Sequence, residues 1–213
     1  AGTYPFVTSS TCTAGGVAAG LQISARALEG AVVVLKAYTT RVGSGPLPTE
    51  LRDATGEYLR KRGNEYGTST GRPRRTGWFD AVVARTAVAL SGAEAIAITK
   101  LDVLDDMEEI PVCVAYKLDG KTVDFLPAVV EDVERLAPVY EWFRGWKTKT
   151  TSVTRFEDLP SAAKGYVRFL EESTGAKAAF ISTGPRREET ILAPDSPFLD
   201  ALPTAPEPLA QRV

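Results

Sequence analysis

Apolar residues recur along much of the chain at the spacing of an amphipathic helix. Five segments have this spacing or the charge pattern of a short helix, namely residues 24–36, 55–62, 78–90, 131–137 and 161–173. Gly63, Gly92 and Gly175 follow three of them, at the position where a left-handed residue commonly ends a helix. Ser24 and Thr76 are placed to cap the first and the third of the long segments.

Short apolar runs between these segments predict strands. Residues 93–98 and 177–181 are runs of the kind found in buried parallel strands. Residues 111–116 and 121–125 flank Asp119-Gly120, a strong signal for a β-hairpin. The order of elements therefore predicts an α/β fold, in which part of a mostly parallel sheet has flanking helices and a β-hairpin subdomain.

Polar turns follow both predicted buried strands, where open α/β sheets bind ligands. The first turn contains Lys100 and Asp102, and the second contains Ser182 and Gly184. A carboxylate in such a turn accepts hydrogen bonds from N1–H and the 2-amino group of guanine, whereas adenine offers it no matching donor at N1. The lysine stem suits the face of a base, and backbone amides near a glycine suit guanine O6. The two turns predict a guanine clamp, although either one alone is as typical of an ordinary surface turn.

The stretch of residues 65–78 combines glycines, three consecutive hydroxyls and three arginines. Glycine permits tight turns and close approach, and guanidinium groups match carboxylate or phosphate. Because Thr76 is placed to cap the following helix, we expect this loop to lead into a helix N-terminus that favours an anion. The alternative is a solvated basic loop. The hydroxyl-rich residues 8–13 and the Gly/Pro loop of residues 43–48 are weaker candidates for ligand contact.

Composition limits the function classes. The chain has 213 residues, 44% of them apolar, and a net charge of -2, so no global basic field predicts nucleic-acid binding. It contains no histidine, which excludes a Ser-His-Asp triad and His-based metal sites within it. Cys12 and Cys113 lack metal-type spacing and indicate reduced thiols in a cytosolic protein, a long-range disulfide being the alternative. No apolar run is long enough to cross a membrane.

Several blocks carry a resemblance to a known family. They are G-T-Y-P-F-V-T-S-S at residues 2–10, A-G-G-V at 14–17, K-A-Y-T-T-R-V-G-S-G-P-L-P-T-E at 36–50, T-G-R-P-R-R-T-G-W at 70–78, T-K-L-D-V-L-D at 99–105 and S-T-G-P at 182–185. In order and spacing the chain resembles adenylosuccinate synthetase, from residue 2 to about residue 192. Ser69 and Leu47 are mild departures, since the family more often has Thr and Phe there. Residues 193–213 are rich in proline and are expected to form a disordered tail.

The resemblance implies a GTP-dependent ligase of AMP biosynthesis that joins IMP and L-aspartate into adenylosuccinate and releases GDP and phosphate. In the family the 6-oxygen of IMP is phosphorylated, and the aspartate amino group then displaces that phosphate. The resemblance assigns Thr8, Val42 and Arg72 to IMP; Thr68, Ser69, Thr70, Gly71, Arg72 and Arg74 to aspartate; and Arg74, Lys100, Leu101, Asp102, Ser182, Thr183 and Gly184 to GTP. It implies no ligand role for Arg75.

The family's phosphate loop, its catalytic Asp and His and its Mg²⁺ ligands find no match in this chain. No catalytic residue and no metal ligand is therefore assigned here, and the Mg²⁺ ligands are expected in an N-terminal half outside the chain. Residues 1–192 are expected to be the C-terminal half of a cytoplasmic, homodimeric enzyme that binds neither nucleic acid nor membranes. An organellar location of the full-length precursor is the alternative to a cytoplasmic one. The alternative is a GTP- and IMP-binding fragment, or half of a split enzyme, without activity alone.

Overall fold

The computed structural model describes residues 3–7, 11–194 and 196, and has the predicted α/β fold. Thr8 and most of the Pro-rich tail lie outside the described residues, although Ala193 and Ser196 are buried. The helices are α1 (Ala14–Leu21), α2 (Ala54–Arg62), α3 (Ala81–Ser91), α4 (Val130–Glu134) and α5 (Ser161–Thr174). The strands are β1 (Val32–Lys36), β2 (Thr39–Arg41), β3 (Arg75–Gly77), β4 (Phe79–Asp80), β5 (Ala95–Thr99), β6 (Glu109–Leu118), β7 (Lys121–Val123), β8 (Ala137–Arg144), β9 (Lys177–Ser182) and β10 (Thr190–Leu192). Short 3₁₀ helices occur at Ala25–Ala27, Leu101–Leu104, Phe156–Asp158 and Arg187–Glu189.

The main sheet has the order β1-β5-β9-β10. Its first three strands are parallel, and β10 returns antiparallel to β9. Ile96 and Ile98 of β5 are completely buried, as is Ile181 of β9. Helices α3 and α5 pack on each other and against this sheet. The two predicted buried strands are thus confirmed as neighbours in one parallel sheet.

The hairpin subdomain is a second sheet, in which β6 pairs with β4, β7 and β8. Asp119 and Gly120 connect β6 to β7 and both have positive φ, 50° and 81°, as the predicted tight hairpin turn requires. Strand β8 was not predicted, and the helix expected over residues 131–137 ends at Glu134. A β-bulge between Cys113 and Ala115 of β6 shifts the register of β6 against β8.

The prediction of a helix over residues 24–36 is wrong. Only a 3₁₀ turn forms there, and the Val-rich end of the segment is strand β1, which pairs with β5. Three consecutive β-branched valines favour extended backbone, and β1 gains a full parallel ladder with β5. Helix α1 was not predicted. Most of its residues are small and none of them is buried, so the sequence lacks the apolar stripe by which a helix is recognised.

Two helix boundaries also differ from the prediction. Helix α3 is capped by Asp80, whose carboxylate accepts a hydrogen bond from the Val83 N–H at 3.1 Å. Thr76 instead lies in β3 and donates its hydroxyl hydrogen bond to Gly56 O. The Arg-rich loop therefore leads into strands, not directly into a helix N-terminus as expected. After α2, Gly63 has φ -80°, so the predicted left-handed cap is also wrong there.

Both cysteines are unpaired, as predicted; Cys12 is exposed and Cys113 is buried. Burial raises the pKa of the Cys113 thiol to about 12. Among the helices of the described residues, none is long and apolar enough to cross a membrane.

Two glycines make a matched test of the fold. A Cβ at Gly145 would lie 1.9 Å from Met107 O, whereas a Cβ at Gly165 in α5 meets nothing within 4 Å. We expect Gly145→Ala to lower the free energy of unfolding by about 3 kcal/mol, because β8 would have to move from β6. Gly165→Ala should raise it by up to about 1 kcal/mol through helix propensity. Urea unfolding of both variants checks this, and equal stabilities would contradict it.

Candidate functional site

The carboxyl ends of three parallel strands form one edge of the main sheet. Lys36 ends β1 beside Thr99 of β5, and β9 ends at Ser182, the next strand along. The two predicted ligand turns directly follow β5 and β9, so they lie side by side. This edge is the position at which open α/β sheets bind ligands.

The turn after β5 is held in an unusual backbone conformation. Lys100 has φ 61°, a left-handed value that few non-glycine residues adopt. Leu101 is fully buried and anchors the following 3₁₀ helix, while Asp102 stays partly exposed. Burial raises the pKa of the Asp102 carboxyl, and the nearby Arg62 charge opposes that shift. Further along, the buried Asp105 carboxylate accepts hydrogen bonds from other segments and fixes the turn from behind.

The turn after β9 is held in place by side-chain hydrogen bonds to backbone carbonyls. The Ser182 hydroxyl donates to Gly184 O at 2.7 Å, and the buried Thr183 hydroxyl donates to Val153 O at 2.9 Å. A Cβ at Gly184 would lie 2.4 Å from the carboxylate of Glu189. Only glycine therefore fits at position 184 without displacing that carboxylate, and the Thr183 side chain serves the turn itself.

Residues 66–73 form a compact exposed loop. Gly67 N–H donates to Arg72 O, and Gly71 N–H donates to Gly67 O, both at 2.8 Å. Gly71 has φ 64°, which closes the turn. The side chains of residues 68–70 and of Arg72 are exposed around this backbone scaffold. The loop therefore presents hydroxyls and one guanidinium to solvent from a fixed frame.

The buried carboxylate of Glu65 joins this loop to the sheet edge. It accepts hydrogen bonds from Lys36 Nζ at 2.8 and 2.9 Å, from the Tyr38 hydroxyl at 2.6 Å and from Arg74 Nη1 at 2.9 Å. Lys100 Nζ lies 3.7 Å from the same carboxylate. We call these five residues the Glu65 network.

The Glu65 network carries more positive than negative charge. Burial raises the pKa of the Glu65 carboxyl, but hydrogen bonds from Lys36 and Tyr38 outweigh burial and hold it below its usual range. Burial lowers the pKa of Lys36, and the Glu65 charge opposes this. The side chains of Lys36, Arg74 and Lys100 are 24, 28 and 35% exposed, while that of Glu65 is 0% exposed. The edge therefore shows solvent a net positive face.

Strand pairing also brings Val42 to this region. Arg41 of β2 pairs with Arg75 of β3 in an antiparallel register. The next residue after Arg41 is Val42, and the residue before Arg75 is Arg74, so these two follow the last pair of the ladder at the same end. Val42 is 69% exposed. The expected IMP contact at Val42 is thus next to the loop that carries the expected aspartate residues.

Comparison with known proteins decides the family. The family model described as adenylosuccinate synthetase matches residues 1–191. The chain belongs to the adenylosuccinate synthetase family. It is 53% identical over 191 residues to the adenylosuccinate synthetase of Trichlorobacter lovleyi, and 50% identical over 190 residues to that of Clostridium botulinum. These matches cover 90% and 89% of this chain but 44% of each relative, so the chain spans less than half of their length.

A solved member of the adenylosuccinate synthetase family has the same fold. The fully ligated adenylosuccinate synthetase from Plasmodium falciparum superposes with a TM-score of 0.87 at 42% identity. That match covers 90% of this chain and 46% of the other. The resemblance drawn from the sequence motifs is therefore confirmed at the level of family and fold.

Arg75 differs from Arg72 and Arg74 in how its guanidinium is held by contacts within the chain. It forms a two-pronged ion pair with Glu50, both contacts at 2.7 Å, and donates to the carbonyls of Gly43 and Gly45. These contacts fix the Gly/Pro loop against β3. That Arg75 contacts no ligand stays a prediction.

The Glu50 and Arg75 pair predicts an acid sensitivity. The hydrogen bonds from Arg75 lower the pKa of Glu50 to about 2. Because the folded value lies below the unfolded value, the pair stabilises the fold fully above about pH 5 and loses this effect as the pH falls toward 2. We expect Glu50→Gln to lower the melting temperature at pH 7 and to flatten its decline between pH 5 and 2. Thermal melts across this range, with the exposed Glu141→Gln as control, check this; parallel curves for Glu50→Gln and wild type would contradict it.

Sequence reasoning gave Lys36, Tyr38 and Glu65 no functional role. A signal was present for Lys36, since a charged residue directly after an apolar β-branched run marks a strand end. That signal was hidden by the helical interpretation of residues 24–36. Glu65 opened the Arg-rich stretch, but only the fold shows that it is buried and shared by three cations.

Proposed function

We propose that residues 1–192 are the C-terminal half of a GTP-dependent ligase that joins IMP and L-aspartate into adenylosuccinate, with release of GDP and phosphate. The observation that carries the proposal is the positive Glu65 network, which lies at the sheet edge between the expected guanine turns and the expected aspartate loop. All three expected substrates are anions, and a partly exposed cluster of cations attracts them. Family membership supports the same activity.

Guanine recognition is assigned to the paired turns. In this proposal the Asp102 carboxylate accepts hydrogen bonds from N1–H and the 2-amino group of guanine. The aliphatic stem of Lys100 lies on the face of the base. Backbone N–H groups of residues 182–184 approach guanine O6. The Thr183 hydroxyl does not take this role, because it already donates a hydrogen bond to Val153 O. Leu101 contributes by anchoring the turn. An adenine base would leave the Asp102 carboxylate without its N1–H partner, so the site favours GTP.

Aspartate recognition is assigned to residues 68–71, Arg72 and Arg74. Arg72 is exposed and free to reach a carboxylate, and the hydroxyls beside it are exposed as well. Arg74 uses Nη1 to bind Glu65, whereas its buried Nε has no acceptor within the described residues. An incoming carboxylate or phosphate oxygen would satisfy that donor. Arg72 is also to reach IMP beside Val42, and Thr8 is to bind the IMP phosphate.

Mg²⁺ use is expected from the family. Within the described residues no group of three or more Cys, Asp or Glu side chains is arranged to hold a metal ion. The family's Mg²⁺ ligands are expected in the N-terminal half outside this sequence, so no metal ligand is proposed within it, and none of the roles above depends on one. We also propose that the complete enzyme is a homodimer, as the family resemblance implies.

A hybrid enzyme tests the proposal. The chain is joined behind the part of the Trichlorobacter lovleyi relative that it does not cover, and adenylosuccinate is measured by chromatography. We expect product only when IMP, aspartate and GTP are all present, and at least about 100-fold less with ATP than with GTP. A soluble hybrid that makes no product, while the complete relative does under the same conditions, would overturn the proposal.

The second candidate is a non-catalytic nucleotide-binding fragment or half of a split enzyme. The observation in its favour is that the family's catalytic Asp and His find no match within these 213 residues, whereas the expected aspartate and guanine residues are present. In this case the 213-residue chain alone binds GDP in a calorimetric titration, but neither the hybrid nor a mixture of the two halves forms adenylosuccinate. A productive mixture of separate halves would instead identify a split enzyme.

A further inference from the structure

The Glu65 network draws its members from segments far apart in the sequence. Lys36 ends β1, Arg74 closes the exposed loop, and Lys100 begins the turn after β5. Glu65 itself follows α2, and its backbone N–H donates to Arg60 O at 2.8 Å while its C=O accepts from the Arg74 N–H at 2.9 Å. The main chain of Glu65 is therefore fixed on both sides, and its carboxylate is a rigid point between the segments.

The hydrogen-bonding capacity of this carboxylate is almost fully used. Oε1 accepts from Tyr38 and Lys36, and Oε2 accepts from Lys36 and Arg74. Hydrogen bonds between ionised groups are the strong and directional ones. Because Glu65 is completely buried, water cannot replace any partner that is lost. The position of the Arg74 guanidinium thus depends on one negative charge. The Lys100 ammonium group is held by the same charge at 3.7 Å together with a hydrogen bond that it donates to Gly63 O at 2.5 Å.

We propose that Glu65 is a positioning residue that holds Arg74 and Lys100 in fixed relative places, so that the aspartate loop and the guanine turn form one site. Glu65 contacts no expected substrate itself, and it acts through the two cations. This inference rests on the proposed function for the identity of the ligands. The ordering of the two side chains is a property of the chain alone and can be measured without any ligand.

Glu65→Gln is the informative substitution, since it keeps the size of the side chain and removes the charge. A glutamine also offers an NH₂ donor where Arg74 or Lys36 now donates, so one cation must turn away. Asp80→Asn is the matched control. Asp80 is likewise buried and accepts a tyrosine hydroxyl hydrogen bond at 2.6 Å, from Tyr116, but it lies in the other sheet and contacts no network member.

The first measurement is NMR of the full chain. We expect the Arg74 Nε–Hε signal to be ordered in the wild type and in Asp80→Asn, and to become mobile in Glu65→Gln. The Lys36 pKa, followed at its Cε carbon, should fall further in Glu65→Gln, because the opposing charge that raises it is gone. General destabilisation moves neither signal while the protein stays folded. An Arg74 side chain that is equally ordered in all three proteins would overturn the inference.

The second measurement uses the hybrid enzyme. Glu65→Gln should raise both the Kd for GDP and the KM for aspartate about tenfold, a loss typical of one misplaced charged contact, while Asp80→Asn changes neither. Arg74→Ala should cost much less in the Glu65→Gln background than in the wild type, because Arg74 is already displaced there. Fully independent effects of the two substitutions would overturn the positioning role. If the wild-type protein binds no GDP and makes no product, the proposed function fails, and the NMR measurement alone then decides whether Glu65 orders the cations.

Discussion

Replacing Asp102 by Asn is expected to lower the apparent affinity of the hybrid enzyme for GTP about 100-fold, the size of effect seen when two polar contacts to a base are lost. The carboxylate accepts from two guanine donors, whereas the asparagine amide must place one of its own N–H groups against a donor. The same amide is complementary to xanthine, which has a donor at N1 and an acceptor oxygen at C2. Xanthosine triphosphate should therefore become the better substrate.

The measurement is the KM of Asp102→Asn for GTP, XTP and ATP, with fixed IMP and aspartate. Asp106→Asn is the control, because Asp106 is exposed and accepts a hydrogen bond from Tyr58 outside the turn. An Asp102→Asn enzyme with unchanged preference for GTP over XTP would remove Asp102 from guanine recognition. The Asp102 turn is anchored by Leu101, so the substitution should leave the fold intact.

Replacing Arg72 by Leu is expected to raise the KM for aspartate about 100-fold, since a guanidinium bound to a carboxylate contributes about 3 kcal/mol. The GDP affinity should change little, because Arg72 is exposed and lies outside the Glu65 network. The KM for IMP should rise by a smaller factor if Arg72 also reaches the ribose. The rise in the aspartate KM would come from the lost charge and not from lost packing, because the Arg72 side chain is exposed.

Initial rates at varied aspartate, at saturating GTP and IMP, check the Arg72 prediction. Arg168→Leu on the exposed side of α5 removes the same charge far along the sequence and should leave all three constants unchanged. Arg72→Lys should recover only part of the loss, because an ammonium group cannot bind a carboxylate in the two-pronged manner of a guanidinium. An unaltered aspartate KM in Arg72→Leu would contradict the assignment.

Sequence patterns predicted the parts of the fold that depend on local chemistry. The strong periodicity of α5, the Asp119-Gly120 turn and the apolar runs of β5 and β9 each specify one conformation, and all are confirmed. Residues 24–36 failed because their spacing fits a helix while their β-branched end fits a strand. Pairing with β5 decided between the two, and no local signal carries that information.

The candidate site likewise has a part that local sequence patterns predict and a part that they do not. The two turns after β5 and β9 were recognisable, since a polar motif directly after a buried strand has a known place in the fold. The Glu65 network was not, because its members are separated by many residues and only strand order brings Lys36 beside Lys100. The engagement of Thr183 with Val153 was equally invisible, as nothing in the turn itself shows which hydroxyl faces inward.

The left-handed backbone of Lys100 has a consequence for how this turn can vary. An L residue with a side chain pays a conformational cost at φ 61°, and glycine would remove that cost. Glycine would also remove the lysine stem and its ammonium group from the sheet edge. The backbone conformation therefore favours glycine at position 100, whereas the contacts of the ammonium group with Gly63 O and Glu65 favour lysine.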